Sequence, residues 1–405
     1  MVMGIFDGLK QELQGVDDTS GHNGYWYSVS DALIMLVTGM LCGLQTVMDI
    51  HDWSRSKPAR QFLMEQFGMK EIMCKSQFYN ILAIVNVEEF KRCFVNWMQG
   101  VLGCAVKGKT VAIDGKVVCG TDKLTKDGSI LNIVSAYVAE LKLTIASHEC
   151  MSKPGERAAF RELLAMLDLS GTIVVADALH CNKPTIKAII EANADYLLVV
   201  KDNVPALKQD IQTCLGIDHA LTPSTSAPSV PVSAPSATTK ETNGGRYEVR
   251  TAYATTNLDH LTPKTLKNWS SLTTVGAIHR QFTKNGKTSS EWHYYISSKA
   301  LTPQELLHHA RMEWAIESMH WLLDVHFAED KTRIYDMNVQ KILNIVRKIA
   351  LNLIHTYKAA NHKPRTSLSS IMRANLFDVD VLTGFLEFFR GGAPFPHLTD
   401  KIYLL

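Results

Sequence analysis

The sequence lacks the signatures of several other classes of protein. Its eight cysteines form no CxxC pair and several lie inside apolar runs, so we predict free thiols rather than disulfides or a zinc site. The first residues show no basic segment followed by an apolar core, so no signal peptide is predicted. Neither a GxGxxG after a strand nor a P-loop is present, so no nucleotide cofactor is expected.

Long apolar runs are scarce as well. The strongest spans residues 32–48, contains Gln45 and is flanked by Asp31 and Asp49. Because this run is shorter and more polar than a typical membrane span, it predicts a buried core helix. We therefore expect no membrane partner and a cytoplasmic location.

An excess of charge of one sign is also missing, since 42 Lys and Arg against 40 Asp and Glu leave a net charge of +2. Positive charge is instead concentrated locally. Residues 331–373 contain one acid, Asp336, and basic residues at positions 331, 333, 341, 347, 348, 358, 363, 365 and 373. Such a segment can neutralise nucleic-acid phosphates, and a solvated helix face is the alternative.

Periodicity divides the chain into a helical first part and a mixed second part. Residues 1–105 predict helices at about 28–48, 57–67, 76–85 and 87–103, with a polar turn region at 49–57. From residue 110 the order becomes three strands, helix, strand, helix, strand. Strands that follow helices favour parallel pairing and an α/β core.

A low-complexity segment interrupts the second part. Residues 221–240 are rich in Ser, Pro, Thr and Ala, which predicts a flexible loop. Strand-like runs return at 246–255, 273–282 and 292–298, and Pro303 opens a long helical region. The final 45 or so residues are less regular.

Two aspartates have settings that favour a chemical role. Asp114 lies within an otherwise buried strand, and Asp177 ends another. A carboxylate in such a place is costly unless it is paired, hydrogen-bonded or bound to a cation. Sites in open α/β sheets form beyond the carboxyl ends of strands, although a strand-end cap or ion pair would also explain either residue alone.

A two-metal site would need a third acid, and the helical region that opens at Pro303 and the residues after it contain several acidic residues. Glu317 shares a helix face with His320 and Trp321, but the residues alone do not select it over the other acids of the region, Glu313, Asp324, Glu329 and Asp330.

The chain resembles the H-repeat-associated insertion-sequence transposases, a branch of the DDE transposases, from about residue 25 to 357. The resemblance rests on short motifs spread over this length: 112–116 (AIDGK), 134–137 (VSAY), 153–156, 176–181 (ADALHC), 195–203 (DYLLVVKDN), 245–248 (GRYE), 294–298 (YYISS), 314–317 (WAIE), 320–325 (HWLLDV), 327–333 (FAEDKTR) and 350–353 (ALNL).

The resemblance implies an α/β fold with an RNase H-like mixed-sheet catalytic core at 106–358. A helical N-terminal domain at 1–105, for DNA-end recognition or dimerisation, would precede this core and a tail region at 359–405 would follow it. A strand-rich insertion at about 204–300 would separate the second acid from the third. The implied catalytic and metal-binding residues are Asp114, Asp177 and Glu317.

The implied activity is cleavage at transposon ends and strand transfer to target DNA, with two Mg²⁺ ions per site for which Mn²⁺ would substitute. Partners would be double-stranded DNA, as terminal inverted repeats and target, and a second copy of the chain on that DNA. The protein would associate with the nucleoid when acting. Alternatives are a metal-dependent nuclease without strand transfer and an inactive DNA-binding relic.

Further residues are candidates for DNA contacts. They are basic and lie near the predicted acids or in the basic segment: Lys116, Lys201, Arg311, Lys331, Arg333, Arg347 and Lys348. The DDE transposases, of which the H-repeat-associated transposases are a branch, often have a Tyr, an Arg and a Lys around the catalytic Glu. This chain has Ala310, Glu313 and Asp324 at those positions, so that signature is missing.

Overall fold

The computed structural model describes residues 4–17, 19, 27–119, 131–150, 155–217, 235–243 and 245–390. Its helices are α1 (Ile5–Gln14), α2 (Val29–Leu41), α3 (Val47–Ser54), α4 (Lys57–Phe67), α5 (Lys75–Ile84), α6 (Val87–Leu102), α7 (Glu156–Ala165), α8 (Lys183–Glu191), α9 (Pro205–Cys214), α10 (Pro263–Asn268), α11 (Pro303–Glu313), α12 (Ala315–Phe327), α13 (Met337–Asn361), α14 (Leu368–Phe377) and α15 (Val379–Arg390).

Its strands are β1 (Thr110–Val117), β2 (Asn132–Val138), β3 (Leu143–Cys150), β4 (Ile173–Ala176), β5 (Asp195–Val200), β6 (Ser236–Asn243), β7 (Arg246–Thr255), β8 (Thr274–Lys284) and β9 (Lys287–Ser297). They form one sheet in the order β3-β2-β1-β4-β5-β9-β8-β7-β6. The predicted α/β fold class with a mixed sheet is confirmed.

The chain divides into two compact units. One comprises Met1–Val106, Gly115–Leu167 and Glu317–Leu405, and the other comprises Lys107–Asp114 and Asp168–Ile316. The predicted domain boundaries at 105/106 and 358/359 remain predictions.

Helices dominate the first unit. Ser28 begins α2 with a capping box, in which its hydroxyl accepts a hydrogen bond from the Asp31 amide at 2.9 Å. Every α2 residue from Ala32 to Leu41 is buried, as predicted for a core helix. Among the described residues, no helix has the length and apolar character needed to cross a membrane.

One predicted helix boundary was wrong. The structure has two helices, α2 and α3, where one was predicted at 28–48, and α3 fills most of the predicted turn at 49–57. Thr46 explains the second start, because its hydroxyl accepts a hydrogen bond from the Asp49 amide at 3.0 Å and so caps α3.

The second unit contains the parallel part of the sheet. Within it, β4 pairs in parallel with both β1 and β5, as predicted for strands that follow helices. Strands β5, β9, β8, β7 and β6 then pair antiparallel in that order. The predicted loop at 221–240 is wrong at its end, because residues 236–240 belong to β6; residues 221–234 lie outside the described part of the chain.

Helix α11 packs against this sheet because a glycine leaves room for it. A Cβ at Gly276 in β8 would lie 2.5 Å from the Leu306 side chain of α11. This close approach needs a residue without a side chain.

The seven cysteines whose side chains the structure describes are free, which agrees with the prediction of free thiols.

Candidate active site

Asp114 and Asp177 both follow the paired residues of two neighbouring parallel strands. The pairing of β1 with β4 runs from Thr110 opposite Ile173 to Ala112 opposite Val175. Both aspartates stand two positions beyond this last pair, Asp114 still within β1 and Asp177 just after β4. Adjacent strands lie about 4.8 Å apart, so the backbones of the two aspartates are close to each other just past the paired part of these strands.

The two aspartates differ in exposure and local bonding. Asp114 is half-buried and Asp177 is exposed. The Asp177 carboxylate accepts a hydrogen bond from the Leu179 amide at 2.9 Å and caps a short helical turn. The alternative role of Asp177 as a cap at a strand end is thus partly correct. One carboxylate has several acceptor positions, so this hydrogen bond leaves others that can bind a cation.

The loop after Asp177 is fixed from the neighbouring strand end. The Asn203 side chain, just beyond β5, donates a hydrogen bond to the Ala178 carbonyl at 2.7 Å. Asn182 donates to the Leu179 carbonyl at 3.2 Å and caps α8. Asn203 therefore supports the backbone that follows Asp177.

Glu317 lies in the first turn of α12 and is exposed. The helical region that opens at Pro303 is broken at Trp314, so α12 has its own N-terminus just before Glu317. A carboxylate in a first turn is favoured by the helix dipole. Glu317 belongs to the first unit, whereas both aspartates belong to the second.

Three of the acids that competed with Glu317 are engaged elsewhere. The Lys116 ammonium lies 2.5 Å from Asp324, 2.8 Å from Glu329 and 3.5 Å from Asp330. All four residues belong to the first unit. Among the acids Glu317, Asp324, Glu329 and Asp330, Glu317 is the one classed as exposed.

The Lys116 cluster holds its charges through mutual compensation. Burial alone would lower the pKa of Lys116, but Glu329, Asp324 and Asp330 raise it. Burial alone would raise the pKa of Glu329, but Lys116, Lys348 and Arg347 lower it. Both groups are therefore charged at neutral pH. Each one needs the opposite charges beside it, because burial alone would favour its neutral form.

Burial corrects two of the predicted DNA contacts. Arg347 and Lys348 are only 3% and 1% exposed, so phosphate cannot reach them. Arg347 donates to the Thr332 hydroxyl at 2.8 Å, and Lys348 donates to Asn344. Burial lowers the pKa of Lys348 to about 7 despite the opposing effect of Glu329. These two cations belong to the charge network of the core.

The other basic candidates differ among themselves. Lys116 is enclosed by carboxylates, and its side chain is 13% exposed. Arg311 is exposed but pairs with Glu241 at 2.7 Å. Lys201, Lys331 and Arg333 are exposed.

A further carboxylate, Glu156, was not among the predicted site residues. A Cβ at Gly115 would lie 2.7 Å from the carboxyl carbon of Glu156, so this side chain packs directly over the residue after Asp114. Asn132 donates to the same carboxylate at 3.3 Å. The sequence signal that could have found Glu156 is its position at the start of a helix after three strands.

The donor set of the three predicted residues suits a hard divalent cation. Asp114, Asp177 and Glu317 offer only carboxylate oxygens, and none of them is fully buried. Mg²⁺ prefers oxygen ligands and keeps several waters, so it needs few protein carboxylates and access to solvent.

The chain is similar to known proteins over most of its length. A family profile described as "Transposase DDE domain" matches residues 109–353, and one described as "DDE_Tnp_1-associated" matches residues 10–98. The chain is 28% identical over 344 residues to "Putative transposase YncI" of Escherichia coli O157:H7, covering 82% of this chain and 83% of that protein.

Two further similarities complete the comparison. "H repeat-associated putative transposase YhhI" of Escherichia coli (strain K12) is 26% identical over 387 residues, covering 93% of this chain and 98% of that protein. A cryo-EM structure of a piggyBac transposase synaptic complex with hairpin DNA has a TM-score of 0.44 and 14% identity, covering 97% of this chain and 80% of that chain.

Proposed function

The chain belongs to the transposase DDE domain family, and from this premise we propose that it cleaves DNA at transposon ends and joins those ends to target DNA. The resemblance to the H-repeat-associated transposases is confirmed by the relatives and the family match. The observation that supports the proposal is the parallel pairing of β1 with β4, because Asp114 and Asp177 each follow the last paired residue of their strand by two positions.

The proposed cofactor is Mg²⁺, with Mn²⁺ as a substitute, two ions per site. When bound, the ions would activate the attacking oxygen and stabilise the leaving oxygen of a phosphodiester. Asp114, Asp177 and Glu317 would hold them. No side chain has to form a covalent intermediate, because water or a 3′-hydroxyl is the nucleophile.

The protein's own contribution is the placement of carboxylates. Asp114 lies on β1, whose residues from Thr110 to Ala112 pair with β4 just before it. The backbone after Asp177 is held by Asn203. Supporting groups of this kind fix the orientation of metal ligands and strengthen binding.

The proposed partners are terminal inverted repeats, target DNA and a second copy of the chain. Two transposon ends have to be held together for joining, which favours a dimer on DNA. We place this activity in the cytoplasm, on the nucleoid.

The proposal is tested with labelled end DNA and Mg²⁺ or Mn²⁺. We expect wild type to cleave, and Asp114→Asn, Asp177→Asn and Glu317→Gln to bind DNA without cleaving it. Asp202→Asn is the matched control, because Asp202 follows β5 of the same sheet, is exposed and pairs with Lys208 at 2.8 Å. Full activity of Glu317→Gln would remove that residue from the site.

A second assay separates the alternatives. Precut ends with a free 3′-hydroxyl are offered together with target DNA, and joined products are measured. A transposase joins them, a nuclease cuts without joining, and an inactive relic binds without either reaction.

A further inference from the structure

Lys116 connects two elements that carry proposed site residues. It lies on β1, two residues after Asp114, and its ammonium is 2.5 Å from the Asp324 carboxylate on α12. The same ammonium contacts Glu329 at 2.8 Å. The end of β1 is thereby joined to α12 by an ion pair inside the first unit.

Asp324 lies on the same face of α12 as Glu317. The two residues are seven positions apart on α12. At 3.6 residues per turn, seven positions make nearly two full turns, so both side chains leave the helix within about 20° of each other. The bond from Lys116 to Asp324 therefore restrains the rotation of α12 about its axis, together with the buried apolar side chains of the helix.

The pair is also suited to this task by its surroundings. The Lys116 side chain is 13% exposed and Asp324 is 33% exposed, so solvent screens their attraction less than at an open surface. Glu329 is buried and contacts the same ammonium with one carboxylate oxygen, while Asn344 donates a hydrogen bond to its other oxygen at 2.7 Å. Lys116 consequently has little freedom to move away from α12.

We propose that the Lys116–Asp324 ion pair is a positioning element that holds the Glu317-bearing face of α12 against the end of β1. Lys116 acts through Glu317 and touches neither DNA nor metal. This inference rests on the proposed function, since a metal-dependent site gives Glu317 its task. It also replaces the phosphate contact that the sequence predicted for Lys116.

Two acids of the cluster provide a matched pair of variants. Asp324 and Asp330 are both 33% exposed and both face Lys116, but only Asp324 lies on α12. We expect Asp324→Ala to raise the Mn²⁺ concentration for half-maximal DNA cleavage about tenfold or more, the usual effect of losing a group that orients a metal ligand. Asp330→Ala should shift it less than about twofold, and both variants should bind end DNA as wild type does.

Hydrogen exchange supplies a readout that does not depend on activity. In Asp324→Ala, amides of residues 315–327 should exchange faster than in wild type, while those of α6 and α13 should not change. Lys116→Met should show the same local pattern. Lys91→Met is its control, because Lys91 is also buried between two carboxylates, Glu88 at 2.6 Å and Glu149 at 3.0 Å, and should not alter residues 315–327.

The outcomes distinguish this inference from the proposed function. If wild type cleaves and Asp324→Ala cleaves with the same metal requirement, the positioning role is overturned and the function stands. If residues 315–327 exchange at the wild-type rate in both variants, the ion pair does not hold α12. If wild type shows no metal-dependent cleavage, the proposed function fails and the role for Glu317 fails with it.

Discussion

Asn352 on α13 forms a two-way hydrogen bond with the backbone of Thr144 in β3. Its side-chain carbonyl accepts from the Thr144 amide at 2.9 Å, and its side-chain amide donates to the Thr144 carbonyl at 2.7 Å. Both residues are buried. A helix side chain thus bonds both backbone groups of a residue in β3, which is the outer strand of the sheet among the described residues.

Asn352→Ala is expected to lower the free energy of unfolding by about 1–3 kcal/mol, because a buried amide and a buried carbonyl lose their partners. Urea denaturation measures the change. Asn361→Ala, near the exposed end of the same helix, removes a bond to the Tyr357 carbonyl and should cost much less. Equal losses in the two variants would mean that the bonds to Thr144 add nothing.

The pairing of Glu149 predicts acid sensitivity. Lys91 lies 3.0 Å and Lys341 lies 2.9 Å from its carboxylate. Burial alone would raise the pKa of Glu149, but the two lysines lower it from 4.5 to about 2. The folded pKa is below the unfolded one, so this stabilisation is complete above pH 4.5 and is lost as the pH falls towards 2.

Between pH 5 and pH 2, wild type should lose about 3 kcal/mol more stability than Glu149→Gln, at about 1.4 kcal/mol per pKa unit. Chemical denaturation at a series of pH values measures both proteins. Parallel stability curves across this range would show that Glu149 titrates normally.

Gly115→Ala should disturb the site without unfolding the protein. The new Cβ would lie 2.7 Å from the carboxyl carbon of Glu156. The end of a flexible side chain can move away, so we expect a small change in melting temperature. We expect cleavage of end DNA to fall about tenfold or more, since small displacements near reacting groups are costly. Gly100→Ala in α6 is the control, because nothing lies within 4 Å of its Cβ.

If Gly115→Ala cleaves at the wild-type rate, Glu156 has no influence on the neighbouring Asp114. If it unfolds instead, Glu156→Gln tests the same influence without a steric conflict.

The exposed part of the basic segment should contribute to DNA affinity. Neutralising Lys331 and Arg333 is expected to reduce the slope of log affinity against log salt by about 1.8, or about 0.9 for each lost phosphate contact. Lys187→Ala is the control, because Lys187 is exposed on α8 and pairs with Glu191. An unchanged slope in the double variant would identify a solvated helix face, the alternative kept open from the sequence.

Local pattern was sufficient to predict the strands that carry Asp114 and Asp177. Each aspartate interrupts or ends a run of apolar residues, and the helix between the later strands dictates parallel pairing. Their mutual register could not be read from the residues, because it depends on hydrogen bonds between segments about 60 positions apart.

Other features depend on partners that are distant in sequence. Lys348 was predicted to contact DNA because it lies in a basic run, yet Glu329 and Asn344 make its burial possible. The sequence predicts a loop for residues 236–240 because they belong to a segment rich in Ser, Pro, Thr and Ala. These residues lie in β6, which pairs with β7 from Ser236 opposite Tyr253 to Asn243 opposite Arg246.

Strand β6 has a consequence for behaviour in concentrated solution. Among the described strands it ends the sheet order, so one row of its backbone groups has no described strand beside it. Unprotected edges of this kind promote aggregation between molecules. Lys240 and Glu241 lie in β6, and its described side chains are largely exposed. A strand from another molecule that paired with β6 would have to lie close to these charged side chains. They therefore protect the protein against edge-to-edge association.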